Sequence, residues 1–257
     1  MSRGLAHVIY RQEGGIARLT LNRPERHNAL VPELLDDLKD ALDQCQREQP
    51  AALLIDAAGK SFSTGGDVAG FHNTPRHERE TYARRVVGTL NEVILQLLTL
   101  PVPTITAVHG MVTGGSLGLV LASDIVVAGP RASFAPWYTV VGFSPDGGWT
   151  ALMPERIGRA RALDVQLTNR AMSQQDALAW GLAQYPAPAG DELSVALDIA
   201  ATLTRRQPGS IARTLRLNRP DADRIARALE QERQQFLEQI VTDEADLGMA
   251  DFLGRTP

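Results

Sequence analysis

The apolar positions of the chain change their period several times, and each change marks a new element. "HVIYRQEGGIARLTLN" carries two short apolar runs around Gly14-Gly15 and predicts two strands joined by a tight turn. In "VPELLDDLKDALDQCQRE", Leu34, Leu35, Leu38, Leu42 and Cys45 fall on one stripe behind Pro32, which predicts a helix with proline in its first turn. "AALLIDAAG" is an unbroken apolar run and reads as a buried strand. A glycine-rich loop, "KSFSTGGDVAGF", leads through a polar segment to a long helix over roughly residues 80–98, with Val86, Leu90, Ile94 and Leu97 along one face. "PVPTITAVHG" predicts another strand, "TGGSLGLVLAS" a helix started by glycines, and "DIVVAG" a third buried strand. Ser173 and Asp176 in "MSQQDALAWGLA" have the spacing of a capping box. From about Asp191 the pattern is helical only, broken at Pro208 and Pro220.

This recurring order of strand, loop and helix predicts an α/β fold with parallel strands, whose ligand loops follow the strand ends. It divides the chain into a core over residues 1–190, holding the site, and a helical region over residues 191–257 used for packing or assembly.

Composition narrows the partners. A formal net charge of -4, with 26 basic residues interspersed among 30 acidic ones, gives no broad positive field for nucleic acid or an anionic membrane, so an anionic ligand must be held locally. Only Lys39 and Lys60 are lysines; the other basic residues are arginines, whose planar fork suits phosphate. One cysteine, Cys45, excludes an internal disulfide, and the start "MSRGLAHVIYRQEGG" lacks the apolar stretch of a signal peptide. With no apolar run near the roughly 20 residues that cross a bilayer, a cytoplasmic protein is expected.

Two motifs mislead. "DAAGKS" needs a glycine five positions before its Gly-Lys pair to be a phosphate loop, and Leu54 stands there. "GGSLG" fits a serine hydrolase elbow, yet His7, His27, His72, His77 and His109 all precede Ser116, whereas that fold needs its histidine after the serine. His72 and His77 lie in a polar loop with no cysteine or carboxylate at ligand spacing, so no metal is expected.

Candidate chemistry lies elsewhere, in "FSTGGDV" and "HGMVTGGSLG". Both sit at strand ends, where glycine lets the backbone approach a ligand closely, and the second opens a helix whose first N–H groups are unpaired. Two such loops facing one crevice make an oxyanion hole: two backbone donors for a carbonyl oxygen that gains charge when a neighbouring proton is removed. A third stretch, "VVGFSPDGGWT", sets one acid, Asp146, among glycines, a proline and apolar residues. That acid either orders the "PDGG" turn or acts as a buried base.

Taken together, "LNRPERHNAL", "SFSTGGDVAGF", "PTITAVHGMVTGGSLGLVLASDIVVAG" and "MSQQDALAWGLA" resemble, in order, four segments of the crotonase superfamily of enoyl-CoA hydratases and isomerases. The resemblance runs from about Val8 to Phe252. It implies a spiral of ββα units, a C-terminal helical trimerisation region, and an acyl-CoA thioester held by the Gly66 and Gly115 amides. For the rest of the substrate it implies Arg23, Arg26, Asn28 and Ala29 of the first segment, with the two arginines as candidates for the CoA phosphates. It adds Ser63, Gly65, Asp67 and Val68 of the first loop, Gly114 of the second, and Trp137, Tyr138 and Gly142 ahead of the acid. No cofactor is implied beyond the coenzyme A that is part of the substrate. A homotrimer or dimer of trimers is expected, with Ile225, Leu229, Phe236 and Ile240 as surplus apolar surface on the tail.

The departures set the expected chemistry. The family's hydratases carry two glutamates, and the matching positions hold Gly118 and Tyr138. Asp146 matches the functional aspartate of the family's single-acid isomerases and of its 4-chlorobenzoyl-CoA dehalogenases, whose helper histidine is matched here by Asn91. A 1,3-proton shift needs one base, so an isomerase is expected, with Asp67 as the next candidate acid. The alternatives are a hydratase, thioesterase or dehalogenase of the same fold, or an acyl-CoA binding protein without catalysis.

Overall fold

The computed structural model describes residues 6–255. Val8–Glu13 (β1) and Ile16–Leu21 (β2) pair antiparallel across Gly14-Gly15, as their two apolar runs predict. The chain continues through Pro32–Glu48 (α1), Ala52–Ala57 (β3), Val68–Asn73 (α2), Arg76–Thr99 (α3), Thr104–Val108 (β4), Met111–Thr113 (β5), Leu117–Leu121 (α4) and Ile125–Ala128 (β6). Ser133–Ala135 (β7), Tyr138–Val141 (α5), Met153–Ile157 (α6), Arg159–Thr168 (α7), Met172–Ser173 (β8), Gln174–Trp180 (α8) and Tyr185–Pro186 (β9) follow. Four helices come last: Glu192–Leu203 (α9), Pro208–Asn218 (α10), Ala222–Gln239 (α11) and Asp243–Phe252 (α12).

β1, β2, β3, β4, β6 and β9 form one sheet, parallel from β2 onward, and β5, β7 and β8 form a second. Side chains alternate across a strand, so β3 sends Leu53 and Ile55 into the main core and Ala52 and Leu54 into a smaller core on the other face. Helices close both faces, which is why β3 reads as one apolar run rather than an alternating one. The α1 stripe of Leu34, Leu35, Leu38, Leu42 and Cys45 is buried in the main core, as its period requires. Small residues of α9, Ala196 and Ala200, lie on the opposite face of the sheet.

The long helix starts at Arg76, a turn before the expected residue 80, because its first turn is held by polar contacts that apolar period does not reveal. Buried Arg79 there donates to Phe71 O at 3.1 Å and Ile240 O at 3.3 Å. Ser173 and Asp176 form the expected capping box at α8. Pro208 opens α10 and Pro220 separates α10 from α11, as read; the last break instead uses Thr242, whose side chain caps α12.

One expectation is corrected. Ile225, Leu229, Phe236 and Ile240 are not surplus surface, because α11, packed on α3, and the Ile240 that ends it bury all four in the chain's own core. Met1–Leu5, part of the stretch in which no signal peptide is read, lie outside the described residues. No described helix is long and apolar enough to cross a membrane.

Candidate active site

The two glycine loops lie side by side because Ser63 pairs in parallel with β5: Ser63 N–H donates to Met111 O at 3.0 Å and Thr113 N–H to Ser63 O at 3.1 Å. Ser116 ties them again, its Oγ donating to Thr113 O at 2.7 Å and Ser63 O at 3.1 Å, so this buried serine is structural and no nucleophile. The approach is close enough to demand glycine. Gly65 has φ +74°, and a Cβ on it would stand 2.5 Å from Thr113 O.

Both candidate donors point away from the pairing that holds their loops. Leu30 N–H donates to Gly65 O and Asp67 N–H to Leu30 O, a parallel pairing in which the intervening Gly66 turns its own N–H to the other side. Gly115 lies in the 3-10 turn Gly114–Ser116 that opens α4, where the first N–H groups have no partner behind them. Among the described residues neither amide has an acceptor, and both residues line one cavity of about 260 Å³.

Asp146 meets Gly115 from the opposite wall. A Cβ on Gly115 would stand 2.9 Å from Asp146 Oδ1 and 3.1 Å from Oδ2. The contact is fixed from both sides. Gly147, at φ +64°, is packed directly on Gly115, and buried Trp149 donates its indole N–H to Gly114 O at 2.8 Å. The carboxylate does not order its own turn. Trp149 N–H goes to Asp146 O, Gly148 N–H goes to Glu232 Oε2, and Asp146 Oδ1 accepts from Tyr138 Oη at 2.5 Å.

Burial in this apolar setting raises the Asp146 pKa from 3.8 to about 7; the Tyr138 hydrogen bond opposes the rise and the charge of Glu232 adds to it. A carboxyl poised there can both take and return a proton near neutral pH. The cavity around it is otherwise apolar, with Val68, Phe71, Val86, Leu90, Val141, Phe143 and Phe236 inside and Met111, Trp137 and Phe252 toward its exposed rim.

Of the residues expected from the sequence, Gly66, Val68, Gly114, Gly115, Trp137, Tyr138 and Asp146 come together on this cavity. The others lie outside its lining. Buried Asn28 braces the first segment, accepting from Arg23 N–H and donating to Ala58 O and Ser61 O, while Ser63 Oγ donates to Asn28 O. Ala29 O accepts from Arg23 Nη1. Gly65 holds the loop contact, and Gly142 caps α5 against the backbone of Glu244. Asp67 caps α2 and pairs with Arg23 at 3.5 Å and Arg26 at 3.4 Å, which leaves Asp146 as the acid on the cavity.

Asn91, the match to the dehalogenase histidine, does not line the cavity. Leu90 reaches the cavity beside Gly115, whereas Asn91 turns away and donates to Leu229 O of α11 at 3.1 Å. Among the described residues no cluster of potential metal ligands is found.

Glu232 is the residue that sequence reading missed. From α11 it accepts Gly148 N–H, Thr150 N–H, Thr150 Oγ1–H and Ala151 N–H at 2.6–2.9 Å and so fixes the segment behind Asp146. Its burial raises its pKa, and these donors oppose the rise. In "EQERQQ" it looks like one more charge on a solvated helix, and only its place on the face shared with Leu229 and Phe236 hints at burial.

Residues 11–257 match the family model described as enoyl-CoA hydratase/isomerase. A 1,2-epoxyphenylacetyl-CoA isomerase of Escherichia coli (strain K12) is 35% identical over 179 residues, which cover 69% of this chain and 67% of that protein. A 4-chlorobenzoyl coenzyme A dehalogenase-2 of Arthrobacter sp is 30% identical over 177 residues, covering 68% of this chain and 64% of that one. The crystal structure of an enoyl-CoA hydratase from Bacillus halodurans superimposes with a TM-score of 0.90 over 96% of this chain and 100% of that chain, at 24% identity.

Proposed function

The chain belongs to the enoyl-CoA hydratase/isomerase family, and from that premise we propose that it is an acyl-CoA isomerase that moves a proton beside the thioester carbonyl, with Asp146 as acid and base. One observation carries the reading: a single buried carboxylate faces an apolar cavity against two unpaired glycine amides. With a β,γ-unsaturated acyl-CoA, Asp146 takes a proton from the α carbon. The C–H electron pair moves toward the carbonyl oxygen, which the Gly66 and Gly115 amides stabilise as a dienolate oxygen. The pair then returns, the γ carbon takes the proton back from Asp146, and the double bond ends conjugated with the thioester. Product and substrate contain the same atoms.

Hydration is less well served. At Gly118, where the resemblance places one hydratase glutamate, a Cβ would stand 2.5 Å from Ile94 Cδ1 and 2.7 Å from Gly147 O. At the other position the Tyr138 hydroxyl is engaged by Asp146. Dehalogenation lacks its helper base: Asn91, at the position matched to the histidine, is no base and donates to Leu229 O.

For the acyl group, Phe71, Phe143 and Phe236 pack on one another with centroids 5.3–5.7 Å apart and line the cavity. Such a wall suits a ring-bearing acyl group, in keeping with the substrate named for the similar 1,2-epoxyphenylacetyl-CoA isomerase. A cavity of about 260 Å³ also exceeds the roughly 150 Å³ that accepts benzene. The proposal includes a cytoplasmic homotrimer or dimer of trimers, as composition and resemblance imply.

The test is Asp146→Asn, which keeps size and cannot accept a proton. Wild type is expected to convert a β,γ-unsaturated acyl-CoA to the conjugated isomer, and the folded variant to bind it equally and convert it at least ~100-fold more slowly. Wild-type rates in the variant would place the base elsewhere. Turnover by the wild type also disposes of the reading as a non-catalytic binder.

A further inference from the structure

Asp146 is held by a hydroxyl that stands where the resemblance implies a second acid. Tyr138 is the first residue of α5, directly after Trp137, which sits at φ +63° with its N–H on Asn169 Oδ1. This backbone turn directs the Tyr138 ring into the interior, where it meets Trp149 edge to face at 6.3 Å and brings Oη onto Asp146.

Tyr138 Oη lies 2.5 Å from Asp146 Oδ1 and 3.0 Å from Asp146 O, and its one proton goes to the stronger acceptor, the carboxylate. Burial and the neighbouring Asp146 raise the Tyr138 pKa well above 10.0, so the phenol keeps that proton and remains a donor. Asp146 Oδ2 has no hydrogen bond among the described residues. We infer that Tyr138 is a positioning residue of the proton transfer: it fixes Oδ1 and leaves Oδ2 as the oxygen offered to the cavity.

This inference deepens the isomerase reading and rests on it. Four elements face Asp146: α5 with Tyr138, α11 with Glu232, the second glycine loop with Gly115, and α3 with Leu90. Burial and Glu232 disfavour the charged form, and the tyrosine donor works against them. Removing that donor therefore moves the Asp146 pKa upward.

The test is Tyr138→Phe in the full chain, which keeps the ring against Trp149. The acid limb of the kcat/KM profile for a β,γ-unsaturated acyl-CoA is expected to move up by roughly one pH unit, the scale of one hydrogen bond to a charged group. At the pH plateau kcat is expected to fall about tenfold or more from lost orientation, with KM within about twofold. A folded variant whose acid limb coincides with that of the wild type overturns the inference.

Should Tyr138→Phe fail to fold, replacing the chain's four tyrosines with 3-fluorotyrosine keeps the shape and strengthens the O–H donor. The limb should then move downward, and an unmoved limb counts against Tyr138. If the wild type turns over no unsaturated thioester, the isomerase reading fails separately. The Asp146 carboxyl titration, read by infrared difference against Asp146→Asn, then decides: a higher pKa without the tyrosine hydroxyl supports the coupling, and equal values refute it.

Discussion

The Asp146 carboxylate faces Gly115 so closely that one methyl group on the glycine would stand 2.9 Å from Oδ1. Gly115→Ala is therefore a probe of the site with little reach beyond it. The added Cβ also meets Leu90 Cδ2 at 2.8 Å, but both neighbours are side-chain ends that can shift. We expect a folded protein whose melting temperature changes by a few degrees and whose turnover falls about 100-fold, the scale of a small misplacement of a reacting group. Undiminished turnover would show that the acid and this loop do not act together.

The buried acid also gives the fold a pH signature. The folded pKa of Asp146 lies near 7 against 3.8 for the free side chain, so the folded state holds the proton more tightly. Its contribution to stability is fully present below pH 3.8 and is lost as pH rises to about 7, a loss of roughly 4 kcal/mol. Asp146→Asn removes the titration. Urea midpoints should thus favour the variant increasingly from pH 4 to 7 and by a constant amount above that; a pH-independent difference would mean that Asp146 titrates normally.

Glu232→Gln should damage the site from a distance. Gln puts an NH2 where one oxygen now accepts backbone N–H groups, leaving donors facing donors behind Asp146. A loss of about 2 kcal/mol in chemical denaturation is expected, with reduced turnover, because the penalty is that of buried unsatisfied groups. Unchanged stability would mean that the acceptor oxygen lost with the substitution contributes nothing net.

Leu229→Ala distinguishes core from interface. Leu229 is fully buried within one chain, so truncation should cost about 2–5 kcal/mol and leave the assembly mass by sedimentation equilibrium unchanged. Dissociation without destabilisation would restore α11 as an assembly face.

Much of this architecture follows from local pattern. The glycine loops are contiguous stretches after apolar runs, and Asp146 is conspicuous among residues that cannot ionise. Contacts across the chain are another matter. Glu232 meets Gly148 across 84 positions, and no local period links them. Asn91 and Leu90 differ by one step, yet one step on a helix turns a side chain by about 100°, enough to exchange cavity for helix contact. Arg23 and Arg26 stand far from Asp67 in the sequence, and only folding brings both into ion pairs with it.

The walls of the cavity are drawn from both ends of the chain, with Leu30 and Gly66 supplied early and Phe236 and Phe252 late. Synthesis proceeds in one direction, so a ribosome that has released both glycine loops and Asp146 still holds a protein without a finished cavity. The cavity is therefore closed only once α11 and α12 have emerged, and under the proposed reading a chain cut before Phe236 should neither bind nor convert the thioester.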